Sequence, residues 1–155
     1  MIARKIEEFL QEKGIEYTIM EHPQAYTAQE IAAVTHIKGK ALAKAVVIKA
    51  DNELMMAVLP ADHKVSLPKL EKLLHAHHVE LAAEENFKDR FPGCETGAQP
   101  PLGILYNMKV IADDSLKDAD EMSFNAGTHK DIITMHRKDW EKIVQPVQGS
   151  FSVHI

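Results

Sequence analysis

Leu42-Ala43-Lys44-Ala45-Val46-Val47-Ile48-Lys49 is a compact apolar run, β-branched toward its end, and it predicts a short buried strand. Side chains alternate along a strand, so Leu42, Lys44, Val46 and Ile48 share one face. Ala43, Ala45, Val47 and Lys49 share the other. Lys49 lies beside the Asp51-Asn52 turn signal and reaches water easily. Lys44 has apolar neighbours on both sides, and a lysine on a buried face is costly unless it is paired or faces a cavity. It can snorkel to the surface from the strand entrance, or it can point into a pocket that receives an anionic or electron-rich ligand.

Outward from this strand, Leu54 to Pro60 predicts a partner joined through the Ala-Asp-Asn turn. Ile2, Ile6, Phe9 and Leu10 have helical spacing over 2–13, with Gly14 as the stop. Ile15, Tyr17 and Ile19 alternate over 15–20. Thr27-Ala28-Gln29-Glu30 has capping-box form and opens a helix to about Thr35. Helices are further predicted over 67–76, with Pro68 in the first turn, over 84–91, and over 138–144. Strands are predicted over 79–82, 104–106, 109–112, 121–125 and 132–135, and 147–155 reads as an extended tail. The elements interleave without a strict βαβ rhythm, which predicts a mixed sheet with helices packed around it.

The chain has 155 residues, enough for one domain with a hydrophobic core; its net charge is -5, with 45% apolar and 26% charged residues. Any nucleic-acid contact must therefore come from a local basic patch, for which Lys38, Lys40, Lys64, Lys69 and Lys130 are candidates. The single cysteine, Cys94, forms no intrachain disulfide, which suits a reducing cytoplasm. No signal core or membrane-length apolar run is present.

The loop Gly97-Ala98-Gln99-Pro100-Pro101-Leu102-Gly103 combines conformational freedom with stiffness. It is either a rigid connector or a platform whose few N–H groups hold an ester carbonyl or ribose hydroxyl. Asn125-Ala126-Gly127-Thr128-His129-Lys130-Asp131 is a dense polar run between strands. Asn125 and His129 could bond a hydroxyl or amine, and Asp131 an ammonium; as a turn, the same residues need no ligand. His75, His77 and His78, with His63, suggest zinc. The lack of thiolate pairs and of HExxH favours a polar helix end instead. Cys94 sits beside Glu95, which disfavours a thiolate nucleophile. GxSxG, Walker and GxGxxG motifs are absent.

Taken in order, His22-Pro23, Thr27-Ala28, Ala43 to Val47, Val58-Leu59-Pro60-Ala61-Asp62, Gly97-x-x-x-Pro101 with Leu102-Gly103, and Phe124 to His129 resemble the YbaK/prolyl-tRNA synthetase-associated domain family. That family includes free-standing trans-editing deacylases and the editing insertion of bacterial prolyl-tRNA synthetases. The resemblance, over roughly residues 3–145, implies an α/β fold with a mixed, partly closed β-barrel-like sheet surrounded by helices. It implies hydrolysis, in the cytoplasm and without metal or cofactor, of the ester linking a small wrong amino acid (alanine, cysteine or serine) to a tRNA, in the first place tRNA-Pro. Lys44 matches the family's key site residue, contacting the terminal adenosine or its phosphate, and Gly97 lies in the loop that positions the carbonyl. His22, Tyr26, Thr27, Ala98, Pro100, Pro101, Asn125, Gly127, His129 and Asp131 are carried over as substrate-binding candidates. The cysteine-clearing type implies a Gly-Lys-Arg-Gly-like run where this chain has Gly127-Thr128-His129-Lys130. The implied partners are the aminoacyl-tRNA acceptor end and a prolyl-tRNA synthetase. The rival expectations are a non-catalytic module that binds an acceptor end or a synthetase, and a metal hydrolase built on the histidines.

Overall fold

The computed structural model describes residues 2–155 except Gln24 and Tyr26, and leaves the side chains of Ala28, Gln29, Ala32 and Val34 undescribed. Tyr26, one of the contact candidates, thus lies outside the described residues. In chain order the elements are α1 (Ile2–Glu12), β1 (Tyr17–Glu21), α2 (Ala28–Thr35), β2 (Ala43–Ala50), β3 (Glu53–Pro60), β4 (His63–Val65), α3 (Leu67–Leu74) and β5 (Val79–Leu81). They continue with α4 (Glu84–Phe87), β6 (Lys109–Asp113), β7 (Glu121–Asn125), β8 (Asp131–His136), α5 (Arg137–Val144), β9 (Val147–Gly149) and β10 (Ser152–His154).

β2 and β3 form the predicted hairpin, with Ala43 opposite Pro60 and Ala50 opposite Glu53. Asp51 and Asn52 both take positive φ (46° and 72°), the backbone of a type I′ turn whose twist matches the strands. The main sheet runs β5-β2-β3-β6-β9, and its β3–β6 and β6–β9 pairs are parallel. A second sheet, β1-β8-β7, is antiparallel, and β4 pairs with β10. The fold is therefore mixed α/β. A single bridge, Leu42 to Ser123, together with the Ser123 N–H donating to Ala41 O (2.8 Å), joins β7 to the entrance of β2. Among the described residues the strands close no further than that bridge, so they form open sheets and not a closed barrel.

Both faces of β2 are packed, as its composition requires. Ala43 and Val47 face a core built with Ile6 and Leu10 of α1, Phe124, Ile133 and Trp140. Ile48 and Ala50 face Leu59, Leu70, Ile111 and Phe151. Burying such side chains contributes about 1.5–3 kcal/mol each. Leu42 joins Ala25, Ile31, Ala61 and Ile132 in a third cluster, which closes the strand entrance. α2 starts at the predicted cap, where Thr27 Oγ1 accepts from Glu30 N (3.0 Å).

Three expectations are corrected and one strand is added. Residues 104–106 are not a strand: Gly103–Tyr106 is a 3-10 turn, ended by Asn107 in the left-handed region. Three apolar residues with no strand to pair with satisfy their backbone locally, as Leu105 N bonds Leu102 O and Met108 N bonds Gly103 O. The 84–91 helix ends at Phe87, where Phe87 and Tyr106 both stack edge-on against Phe91. The 147–155 tail is β9 and β10, anchored by fully buried Phe151. The His63–Val65 strand, absent from the sequence pattern, exists because β10 pairs with it.

Asp113 fastens that C-terminal segment. Its Oδ1 accepts from Phe151 N (2.8 Å), and its Oδ2 from Ser152 Oγ (2.8 Å), Ser115 N (3.1 Å) and Ser115 Oγ. Burial alone would raise the carboxyl pKa, but the donors from Ser115, Phe151 and Ser152 together hold it below the usual carboxylate range. A depressed folded value means the stabilisation is complete above about pH 4 and is lost as pH falls through that value. Asp113→Asn is expected to cost about 2–3 kcal/mol at pH 7. In thermal melts the gap between wild type and variant should narrow on acidification.

Candidate functional site

Where β2 enters the sheet, Lys44, Ile31, Leu42, Gly97, Gln99 and Asn125 line a cleft of about 210 Å³. Lys44 is partly buried, and burial lowers its ammonium pKa, an effect partly offset by the negative charge of Asp62. The Lys44 side chain has no hydrogen bond or close ion pair among the described residues. Lys44 therefore faces the cleft as a cation with only the Asp62 field to support it.

The opposite wall is the 95–101 loop, tied down on three sides. Gln99 Nε2 donates to Ala45 O (3.0 Å), clamping the loop to β2. Trp140 Nε1 donates to Pro101 O (2.8 Å) from inside the core. The Glu95 N–H bonds Gly127 O (2.8 Å) and the Gly127 N–H bonds Ala98 O (3.0 Å), which zips the loop to the β7–β8 turn. Gly97 stands out from this frame with φ +83°, a conformation glycine adopts without strain. Its N–H has no acceptor among the described residues, whereas Ala98, Pro100 and Pro101 are buried behind it as scaffold. At the end of β7, the Asn125 side-chain oxygen is buried and has no donor among the described residues. A buried acceptor without a partner costs about 1–3 kcal/mol unless a ligand supplies a donor.

The remaining candidates divide by position. His129 is buried beside Gly97; its Nε2–H donates to Thr96 O (2.8 Å) and its main-chain N–H to Glu95 Oε1 (2.8 Å). It supports the loop. Gly127 (φ +89°) lies against Ile2, where an added Cβ would come within 2.8 Å. Thr27 is committed to the α2 cap. Asp131 accepts from Thr128 Oγ1 (2.7 Å) and faces a different groove, of about 590 Å³, between α1 and β1. That larger groove carries Glu7, Glu8, Glu21 and Asp131 against Arg4, a net negative pattern that repels phosphate. His22 is buried, bonded through N–H to Lys130 O (2.9 Å) and through Nδ1 to Pro23 O (2.6 Å), and does not line the cleft.

Gln99, Ile31 and Asp62 were missed as site residues. Asp62 had a signal, since it closes the Pro60-Ala61-Asp62 stretch; Gln99 had none beyond its place in a proline-rich loop. The histidine tract is structural: His75 caps α3 in the left-handed region, and the His77 and His78 N–H groups bond the Asp51 carboxylate. Cys94 is partly buried beside Tyr106 OH (3.5 Å), and burial raises its thiol pKa against a smaller lowering from that contact. The thiol is thus a poor nucleophile.

A family model described as the aminoacyl-tRNA editing domain matches residues 22–143. The chain is 30% identical over 150 residues to the Multifunctional Ser/Thr-tRNA deacylase ProXp-y of Escherichia coli (strain K12), covering 92% of this chain and 87% of that protein. It is 35% identical over 95 residues to the proline–tRNA ligase of Bacillus subtilis (strain 168), covering 61% of this chain but only 17% of the ligase. A crystal structure described as that of a candidate trans-editing enzyme for prolyl tRNA synthetase superposes with a TM-score of 0.84, covering 97% of this chain and 96% of that one; at 19% identity this likeness speaks for the fold. With residues 22–143 matched, well over half of its length, the chain belongs to the aminoacyl-tRNA editing domain family.

Proposed function

We propose that the protein is a cytoplasmic aminoacyl-tRNA deacylase acting in trans, which takes the acceptor end of a mischarged tRNA into the Lys44 cleft. One observation carries this: Lys44, Gly97, whose N–H has no acceptor among the described residues, and Asn125 line one small cleft. An aminoacyl ester of a ribose presents the complementary set. Lys44 holds the terminal adenosine or its phosphate by charge. The Gly97 N–H donates to the carbonyl oxygen as negative charge develops on it. Asn125 accepts from the amino acid's ammonium and fixes its orientation.

None of the described residues lining the cleft is a thiol, imidazole or carboxylate. The nucleophile is therefore water, oriented by a group of the substrate such as the ribose 2′-hydroxyl. Water adds to the carbonyl, the bond to the ribose oxygen breaks, and that oxygen leaves with a proton as free amino acid is released. The ester is already activated, so positioning can supply much of the acceleration. The narrow cleft favours a small amino acid. Serine is the first candidate, because it is common to the sequence reading and to the substrates in the deacylase relative's name. The tRNA body would meet Lys38 and Lys40, exposed in the loop before β2, and binding should weaken as salt rises.

The test is the lifetime of seryl, threonyl, alanyl and cysteinyl esters on tRNA-Pro and on their own tRNAs. The proposal expects the seryl ester to be shortened most, with chelator making no difference. If tRNA is bound and every lifetime is unchanged, the protein is a binding module and the deacylase assignment falls.

A further inference from the structure

A second cluster lies outside the cleft, where β4 and β10 meet. His63 and His154 are opposite each other in the antiparallel ladder, with ring centroids 5.1 Å apart. Asp62 precedes His63. His63 Nε2 stands 3.7 Å from Asp62 Oδ1, and His154 Nε2 stands 3.4 Å from Asp62 Oδ2. One ligand atom from each of the three residues can be chosen so that all lie within 4.8 Å of one another.

The hydrogen bonds decide which ring nitrogens face Asp62 with a lone pair. Asp113 is an acceptor, so Ser152 Oγ spends its proton on Asp113 Oδ2 (2.8 Å). His63 Nδ1, 2.9 Å from the same Ser152 Oγ, must then be the donor in that pair. His154 Nδ1 lies 3.0 Å from the main-chain oxygen of Ile155, which only accepts, so it too carries its proton there. In the neutral rings both Nε2 atoms are therefore lone pairs, and both point at a carboxylate. Asp62 Oδ1 is itself buried and has no hydrogen-bond donor among the described residues. Acceptors that converge without a donor repel one another, and a cation between them removes the cost. The Asp113–Ser152–His63 chain is also the outer support that fixes the tautomer of a metal-binding histidine.

We infer that Asp62, His63 and His154 form a binding site for a zinc-class divalent metal ion, with its fourth position open to water. Two imidazoles and one carboxylate suit zinc or cobalt and not magnesium or calcium, which prefer all-oxygen shells. Metal–ligand bonds of about 2.0–2.1 Å in tetrahedral geometry put ligand atoms roughly 3.3–3.5 Å apart. The 3.4 Å and 3.7 Å contacts are to different oxygens of Asp62, and the set with one atom from each residue lies within 4.8 Å, so the side chains close in around the ion as it binds. His154, 69% exposed at its side chain, can turn to complete the set. The ion would clip β10 to β4 and to the turn after β3. The groups proposed for deacylation are in the Lys44 cleft, which Asp62 touches only through its charge on Lys44, so the test reads metal binding and not ester hydrolysis.

The test uses the tag-free, metal-stripped full chain at about pH 7.5, where free imidazole is mostly neutral. Zinc and cobalt are titrated calorimetrically, and cobalt also by its visible absorption. One equivalent per chain is expected, with affinity reduced roughly tenfold or more in both His154→Ala and Asp62→Asn, and with no competition from magnesium. His154 is exposed, so its variant should keep the wild-type circular dichroism. The inference is overturned if no saturable binding occurs. It is equally overturned if either folded variant loses less than about tenfold, which would put the ion elsewhere, for instance at the 75–78 histidines.

Discussion

Lys44→Ala is expected to lower kcat/KM for the favoured ester about 100-fold, the size of effect of truncating one partner of a buried charge-assisted contact. Nothing in the cleft replaces it: Ile31, Leu42, Ala43, Ala45 and Val46 are apolar, and Gln99 is engaged with Ala45. The same lysine should cost stability. Its folded pKa lies below the usual 10.5, chiefly through burial, so the folded state sheds this proton before the unfolded state does. Stability contributed by this group therefore rises with pH through that window, and at neutral pH the buried charge is a burden. Lys44→Met should raise the melting temperature by about 2 °C while removing activity, a small figure because the ammonium is partly solvated. Acceptor-end binding should likewise weaken with rising pH earlier than an ordinary lysine would dictate.

The largest stability effect is expected at Gly103. A Cβ built there comes within 2.2 Å of Met108 O and 2.5 Å of Val110 Cγ2. Neither neighbour can withdraw easily, since Met108 N is bonded to Gly103 O (3.0 Å) and Val110 is a buried member of β6. Gly103→Ala should therefore cost about 3 kcal/mol or more and lower the melting point by about 10 °C. Gly97→Ala offers a contrast. Its Cβ would meet only His129 Cε1, at an ordinary 3.7 Å, so the cost there is the positive φ alone, about 1–2 kcal/mol. Melting curves of the two variants check that order.

The central hairpin was legible because two signals agreed: a β-branched run and a turn whose residues tolerate positive φ. α2 was legible from its cap. β4 was not, and β9 and β10 registered only as an extended tail, because these strands exist through pairing with distant segments, β10 with β4 and β9 with β6. Residues 104–106 read as a strand from composition, but no strand was there to receive them. At the site, Lys44, Gly97 and Asn125 carry chemical signals in their residue types, and the structure puts all three on one cleft. The burial of Ala98, Pro100 and Pro101, the Thr128 partner of Asp131 and the clamp made by Gln99 are tertiary facts with no local signature.

The most direct measurement is single-turnover hydrolysis of seryl-tRNA at sub-saturating protein, comparing wild type with Lys44→Ala and measuring tRNA binding in parallel. Fast ester loss is expected with wild type and a rate about 100-fold lower with the folded variant. Equal rates for the two proteins would contradict this, because the chemistry would then lie outside the Lys44 cleft.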